Sequence, residues 1–277
     1  MAMQLLSAPF EPHALRRRGA LGGPIAGIAA ASLVLAVGGL GVGLAGGPWR
    51  AVGVGIVVGS AQGALLAIGW AVALDGAPGG ACAAARLWVV LLVASAASRW
   101  SPWAAVLYFA VPLLLVREGA RHPALRGMGL READAPRHVL LGVAGGAFLG
   151  GHLLVSASQT LEYGVRVPGA ATLLMAAAYD VGANALTAEW LFRGALFSRW
   201  WRRWDFWPAA GLSTALCVAR YLADPALPPV LEMRVGAVFY TALLGFGACA
   251  LRAASGSLLP GYLASVVFFL FYRLLAP

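Results

Sequence analysis

The chain contains no lysine, only three cysteines, four histidines and few acidic residues. Each shortage excludes something. Charged residues make up 11% of the sequence, against about 25% in a soluble domain. With 61% hydrophobic residues and a mean hydropathy of +0.80, the chain cannot keep its surface solvated, which excludes a soluble globular protein. Cys82, Cys217 and Cys249 lie far apart in apolar segments and form no C-x-x-C pair. They read as small buried hydrophobes, not as a disulfide frame or a zinc site. The histidines are His13, His122, His138 and His152, with none beyond. No H-E-x-x-H or comparable three-ligand set occurs, so no metal site and no cofactor is implied. All twenty basic residues are arginine, and the net charge is +9. Scattered over an apolar chain, that excess sets topology and does not point to nucleic acid. The absence of lysine beside 36 glycines suggests GC-rich coding and a bacterial source.

What is present is a series of apolar runs, and the predicted fold class is all-α: a polytopic membrane bundle of about eight or nine transmembrane helices. Residues 1–18 form a segment ending in Arg16, Arg17 and Arg18. The apolar run that follows, 25–45, is longer than the ~7–15 residues of a signal-peptide core, so it is read as a first span with its N-terminus in the cytoplasm. A second span covers 52–74. Both carry small residues at four-residue spacing (Gly39, Gly43, Gly47; Gly55, Gly59, Gly63), which permits close helix approach. The stretch 87–116 is interrupted at Ser98-Arg99-Trp100-Ser101-Pro102. Arg117, Arg121, Arg126, Arg131 and Arg137 crowd the next loop, which the positive-inside rule places in the cytoplasm. An even number of crossings must precede it, so the chain is expected to turn at Arg99. Further spans are expected at 139–156, 170–192, 206–222, 235–251 and 258–275, with Arg199, Arg202, Arg203 and Arg252 inside. The organisation expected is a cytoplasmic segment 1–18, N-terminal helices and loop over 19–137, and a core over 138–277. The location implied is a bacterial inner membrane, with membrane lipids as unavoidable partners.

The polar residues concentrate at D-V-G-A-N-A-L-T-A-E-W-L-F-R-G, 180–194. Ionisable groups inside an apolar helix are costly and mark either a functional site or a structural clamp. At roughly 100° per residue, Asp180, Asn184 and Thr187 share one polar face, and Glu189 and Arg193 lie roughly 180° round on a second. Glu189 and Arg193 are four apart with the acid N-terminal to the base, the favoured order for an ion pair. Downstream, Trp200, Trp201, Trp204 and Trp207 alternate with Arg202 and Arg203, a pattern suited to the membrane interface. Arg220 has Asp224 four residues on as an end-of-helix partner, within a stiff loop, Asp224-Pro225-Ala226-Leu227-Pro228-Pro229.

These residues carry a resemblance. A-E-W-L-F-R-G resembles the E-E-x-x-F-R-G signature of the CAAX-protease and bacteriocin-processing (CPBP, or ABI) intramembrane proteases. W-P-A-A-G-L-S-T-A-L-C-V-A-R-Y is similar to the segment bearing that family's F-x-x-x-H. The C-terminal stretch, with Gly256-Ser257-Leu258-Leu259-Pro260, is similar to its last two helices, where H-x-x-x-N follows a G-S-L-x-P turn. The likeness covers about 140–277 in order and spacing. It implies a site in which the first Glu of the signature activates water, while two histidines and an asparagine hold that water and stabilise the oxyanion.

The departures fall on those chemical positions. The first Glu is Ala188. F-x-x-x-H falls on Cys217 and Tyr221, and H-x-x-x-N on Ser265 and Phe269. Glu189 and Arg193 alone match. No shift of register supplies a histidine. Other hydrolytic designs fare no better. Ser265 has no histidine downstream, His152 is the one candidate inside a span, and Asp180 and Glu189 point apart on one helix. A transporter predicts an internal repeat, and none is evident. The broken polar helix keeps the transporter open as a third class, behind two leading functions. The first is a non-catalytic CPBP-like membrane protein with the vestigial site Ala188, Glu189, Arg193, Tyr221, Ser265 and Phe269, binding a client transmembrane segment or an active protease partner. The second is an active intramembrane endopeptidase, with Glu189 as its catalytic residue, trimming C-terminal membrane anchors or lipidated or sorting-signal tails.

Overall fold

The computed structural model describes residues 23–74, 80–122, 125, 128–130, 135–223 and 230–276. The segment 1–18 with His13 and its three arginines, the loop arginines Arg126 and Arg131, and the loop 224–229 with Asp224 lie outside the described residues.

Among the described residues the fold is all-α, with nine helical segments. They are α1 (Gly23–Leu44), α2 (Gly47–Leu74), α3 (Gly80–Trp100), α4 (Pro102–Arg121), α5 (Pro136–Thr160), α6 (170–201), α7 (Phe206–Leu222), α8 (Leu231–Ser255) and α9 (Leu259–Tyr272). Six of these, α1 to α5 and α8, are long and apolar enough to cross a membrane. The helices divide into two compact units that interleave along the chain. One draws on 23–122 and 168–191, the other on 128–167 and 192–276, so the division falls within α6.

In the first unit, glycines set the helix spacing. A methyl group on Gly39 would stand 2.9 Å from the Gly53 carbonyl oxygen and 3.0 Å from Ile56 Cβ, and one on Gly59 would stand 2.9 Å from both Leu92 Cα and Ser95 Cβ. The small-residue rows of α1 and α2 are thus used within the chain, α1 on α2 and α2 on α3. Close backbone approach of this kind supplies the dispersion that associates helices in lipid, where no hydrophobic force acts between them. The break expected at Arg99 falls at Ser101, which is extended (φ −137°, ψ 122°) ahead of Pro102. Proline disfavours the helical conformation of its predecessor and is tolerated in a first helical turn. The start of α4, Pro102–Phe109, winds as a tighter 3₁₀ helix, which the sequence reading did not anticipate. Tyr108 OH donates to Ser95 Oγ across this hairpin at 2.8 Å. Cys82, expected to be buried, is exposed in the first turn of α3, on a face that no helix of its unit covers, whereas Cys217 and Cys249 are buried.

In the second unit, α5 lies against α9. A methyl group on Gly146 would stand 2.9 Å from Ala264 Cα, and one on Gly142 would stand 3.1 Å from Pro260 Cα. Helix α8 ends at Gly256, which is left-handed (φ 64°) and returns its N–H to Arg252 O. Glycine takes this conformation without the Cβ penalty. The chain re-enters helix at Leu259, with Pro260 in the first turn. The span expected at 258–275 is shorter than predicted. Helix α9 has 14 residues, about 21 Å at 1.5 Å per residue, because the chain turns at Arg273 and residues 275–276 pair antiparallel with 164–165. Among the described residues this two-residue pair is the only β pairing.

Gly145 and Gly146 provide a paired test. Gly146→Leu is expected to lower stability by about 1–3 kcal/mol through overpacking. Gly145→Leu, with nothing within 4 Å of its Cβ direction, should leave stability unchanged. Thermal unfolding of the two variants in detergent reads the difference.

Candidate functional site

The polar signature lies on a helix that is not uniformly α. Within α6, Asp180–Asn184 and Glu189–Phe197 are π-helical, separated by the short α stretch Ala185–Ala188. Hydrogen bonding from i to i+5 underwinds these turns, so the even spacing of roughly 100° per residue behind the two predicted polar faces does not hold here. π segments are rare and concentrate at functional sites. At the end of the second one, Ser198 Oγ donates to Arg193 O, five residues back, at 3.0 Å.

In the first unit, Asp180, Asn184, Thr187, Ala188 and Glu189 are all buried. Asn184 Nδ2 donates to Asp180 Oδ1 at 3.0 Å. Thr187 Oγ1 donates to Gln62 Oε1 at 2.5 Å, and Gln62 Nε2 donates to Tyr179 OH at 2.9 Å. The expected Asp180–Asn184–Thr187 face is therefore resolved into an Asp–Asn pair and a Tyr179–Gln62–Thr187 chain. Beside Glu189, Trp190 Nε1 donates to Leu66 O at 3.1 Å, and its ring stacks on Trp70 with centroids 5.7 Å apart. Gly69 leaves the room for that indole, since a Cβ there would stand 2.5 Å from Trp190 Cδ1.

In the second unit, Arg193 is buried at 2% exposure. Its Nη1 donates to Cys217 Sγ at 3.0 Å. Gly245 admits the guanidinium to the face of α8, for a Cβ there would stand 2.7 Å from Arg193 Nη2 and 2.7 Å from Thr214 Cγ2. Ser213 Oγ donates to Phe192 O at 2.7 Å. Gly194 faces Leu258 and Met128, so the F-R-G and G-S-L-L-P pieces, distant in sequence, pack together. Within that turn Ser255 Oγ accepts from Ser257 N at 3.1 Å and Ser257 Oγ accepts from Leu259 N at 3.2 Å. Tyr221 and Phe269 meet ring to ring, with centroids 5.4 Å apart, and Ser265 is buried. Arg220, expected to pair with Asp224, holds its guanidinium 4.3 Å from the Tyr221 ring centroid, and Asp224 lies outside the described residues. His152 Nδ1 lies 2.7 Å from Tyr240 OH and 3.2 Å from Ser156 Oγ. Among the described residues no three His, Cys, Asp or Glu side chains gather as a metal site.

Three polar residues escaped the sequence reading. Gln62 is an amide in the middle of an apolar helix, and that isolation was the available signal. Arg252, expected on the cytoplasmic side, is buried in the last turn of α8, donates to Gly256 O, and reaches Ser198 Oγ at 3.4 Å. Gly129, left-handed at φ 93°, packs against its guanidinium, and Gly129 O accepts from Leu258 N at 3.0 Å. A cation at the C-terminal end of α8 also suits the helix dipole. Glu118 is 3% exposed and gathers Arg86 at 3.0 Å, Arg121 at 3.4 Å and His122 at 3.8 Å. Nothing in its local sequence distinguishes it from a loop acid.

The apolar helices define a multi-pass membrane protein. Residues 170–271 match the family model described as Type II CAAX prenyl endopeptidase Rce1-like. The match lies inside the stretch that carries the resemblance and supports membership of the CAAX-protease and bacteriocin-processing family. No curated protein and no solved structure matches the chain.

The Thr187–Gln62 contact can be tested by a double-mutant cycle. Thr187→Val and Gln62→Leu should show a coupling of about 0.6 kcal/mol, up to ~1.7, the range for interhelical hydrogen bonds in membranes. Unfolding in mixed micelles measures it, and a coupling near zero would show that the bond contributes nothing.

Proposed function

We propose that this protein is a non-catalytic member of the family that acts by binding, its partner being a transmembrane segment of a client protein or an active protease. The observation that carries this reading is the chemistry at the positions matching the family site. Ala188 has no group that takes a proton. Tyr221 can donate a hydrogen bond but is a poor base, Ser265 can donate, and Phe269 can do neither. The Tyr221–Phe269 ring contact puts an aromatic pair where the family pattern calls for a histidine and an asparagine.

Magnitudes favour loss of hydrolysis. A positioned acid or base contributes about 10²–10⁴-fold, and a single oxyanion donor about 10²–10³-fold. Replacing several such groups together removes the means of attacking an amide at a useful rate. What is kept is the packing: Phe192, Arg193 and Gly194, the Gly256–Pro260 turn and the glycines beneath them. A chain that keeps the helix contacts and drops the reacting groups is suited to recognising a membrane segment without cutting it. We place it in a bacterial inner membrane with its N-terminus in the cytoplasm, since Arg117, Arg121, Arg137, Arg199, Arg202 and Arg203 then all lie on the inside.

The second reading, an active endopeptidase acting on C-terminal anchors or lipidated or sorting-signal tails, is favoured by one observation: Glu189 is retained and buried at 2% exposure. A single experiment separates the two. Purified protein in proteoliposomes is given a fluorogenic farnesylated tail peptide, beside Glu189→Gln. Binding reads no product above the Glu189→Gln background, together with photo-crosslinking from position 221 to a single-span segment in both forms. Product formation abolished by Glu189→Gln overturns the binding reading in favour of the enzyme.

A further inference from the structure

The connection from α6 to α7 is short and strongly basic. Helix α6 ends at Trp201 and α7 begins at Phe206. The N–H groups of Arg203 and Trp204 both donate to Trp200 O, at 2.8 and 2.9 Å, which closes the turn tightly. Arg202, Arg203, Trp204, Asp205 and Pro208 line an open cleft of about 700 Å³. The helix ends that flank the turn are packed: Phe197, Phe206, Ala209, Ala210, Cys249 and Ala253 form a buried apolar cluster, with Phe197 and Phe206 edge to face at 5.7 Å.

The charge at this cleft is unbalanced. Arg199, Arg202 and Arg203 stand against Asp205 alone, leaving two positive charges in excess. Among the described residues no ion pair involves Arg199, Arg202 or Arg203. Desolvation, and then the like charge of Arg199, push the Arg202 guanidinium below its ordinary value. An anion in the cleft would relieve that repulsion. The surrounding rings fix the depth. Trp204 and Trp207 are 46% and 66% exposed, and Trp200 stacks on Trp204 with centroids 6.0 Å apart. Exposed indoles beside a membrane helix settle at head-group level.

We propose that this cleft binds the phosphodiester head group of an anionic, hydroxyl-bearing phospholipid of the phosphatidylglycerol class. Arg202 and Arg203 donate to the phosphate oxygens. Asp205 accepts from the head-group hydroxyls and repels a second phosphate. Trp204 and Trp207 lie against the glycerol and upper acyl region. A zwitterionic lipid would leave the whole excess charge standing. A free phosphate shares the arginine chemistry but has nothing to offer the indoles.

The test uses the full chain in detergent, with the unfolding midpoint read as lipid is added. Phosphatidylglycerol is expected to raise the midpoint. Arg202→Gln/Arg203→Gln should weaken its apparent affinity by roughly 30-fold, from the contribution of two arginines at a lipid surface. Arg166→Gln, an exposed arginine elsewhere, should keep wild-type affinity. Raising the salt to about 1 M, where the screening length is ~3 Å, should shrink the wild-type shift, which provides a reading independent of any variant. The proposal is overturned if the double variant keeps its affinity, if salt has no effect, or if phosphatidylcholine or phosphatidylethanolamine matches phosphatidylglycerol. An equal shift from inorganic phosphate at the same concentration overturns the lipid as the ligand.

Discussion

A polar group buried in an apolar chain must find its partner inside the protein, because lipid offers none. The arrangement of this molecule follows from that constraint. Thr187 and Tyr179 meet at Gln62, Asn184 turns to Asp180, and Arg193 is received by Cys217. Arg252 closes on the carbonyl that ends its own helix, and Glu118 draws Arg86, Arg121 and His122 to itself. The Gln62 and Cys217 contacts join elements distant in sequence and Arg252 fixes a helix end, whereas Asn184 and Asp180 pair within α6 itself. The polar residues therefore set the register in which apolar helices, otherwise free to slide, are held.

Glycine makes those contacts possible. At Gly69, Gly245 and Gly129 the missing side chain is the space that the Trp190 indole, the Arg193 guanidinium and the Arg252 guanidinium occupy. At Gly142 and Gly146 the same absence brings α5 onto α9. The two π segments of α6 belong to the same economy. They alter the turn on which Asp180, Glu189 and Arg193 sit, and so the direction in which each can find a partner.

On the proposed reading, this pattern separates two kinds of inheritance. The residues that hold helices together, Phe192-Arg193-Gly194 and Gly256-Ser257-Leu258-Leu259-Pro260, keep the family's form. The residues that would handle a proton or an oxyanion do not. Packing and catalysis place different demands on the same helices, and a protein that recognises a membrane segment needs only the first. On the proposed lipid reading, the basic, tryptophan-rich turn at 199–207 adds an anchor at the lipid surface.

The sequence alone determined the class of the protein and most of its helices. Composition forced the membrane, and Pro102 with Ser101 placed the α3–α4 break within two residues of where charge counting put it. F-R-G and G-S-L-L-P carried the family likeness that the match over 170–271 supports. These features are local, written in hydropathy, in proline and glycine, and in short motifs. The tertiary structure decided which polar groups meet. A uniform helical wheel could not foresee the π turns of α6. Nor could it foresee that Gln62, 125 residues from Thr187, would be its acceptor, that Arg252 would be buried, or that α9 would stop at Tyr272 for a strand pair. Partners at that separation are set by the packing of whole helices, and no window of sequence contains them.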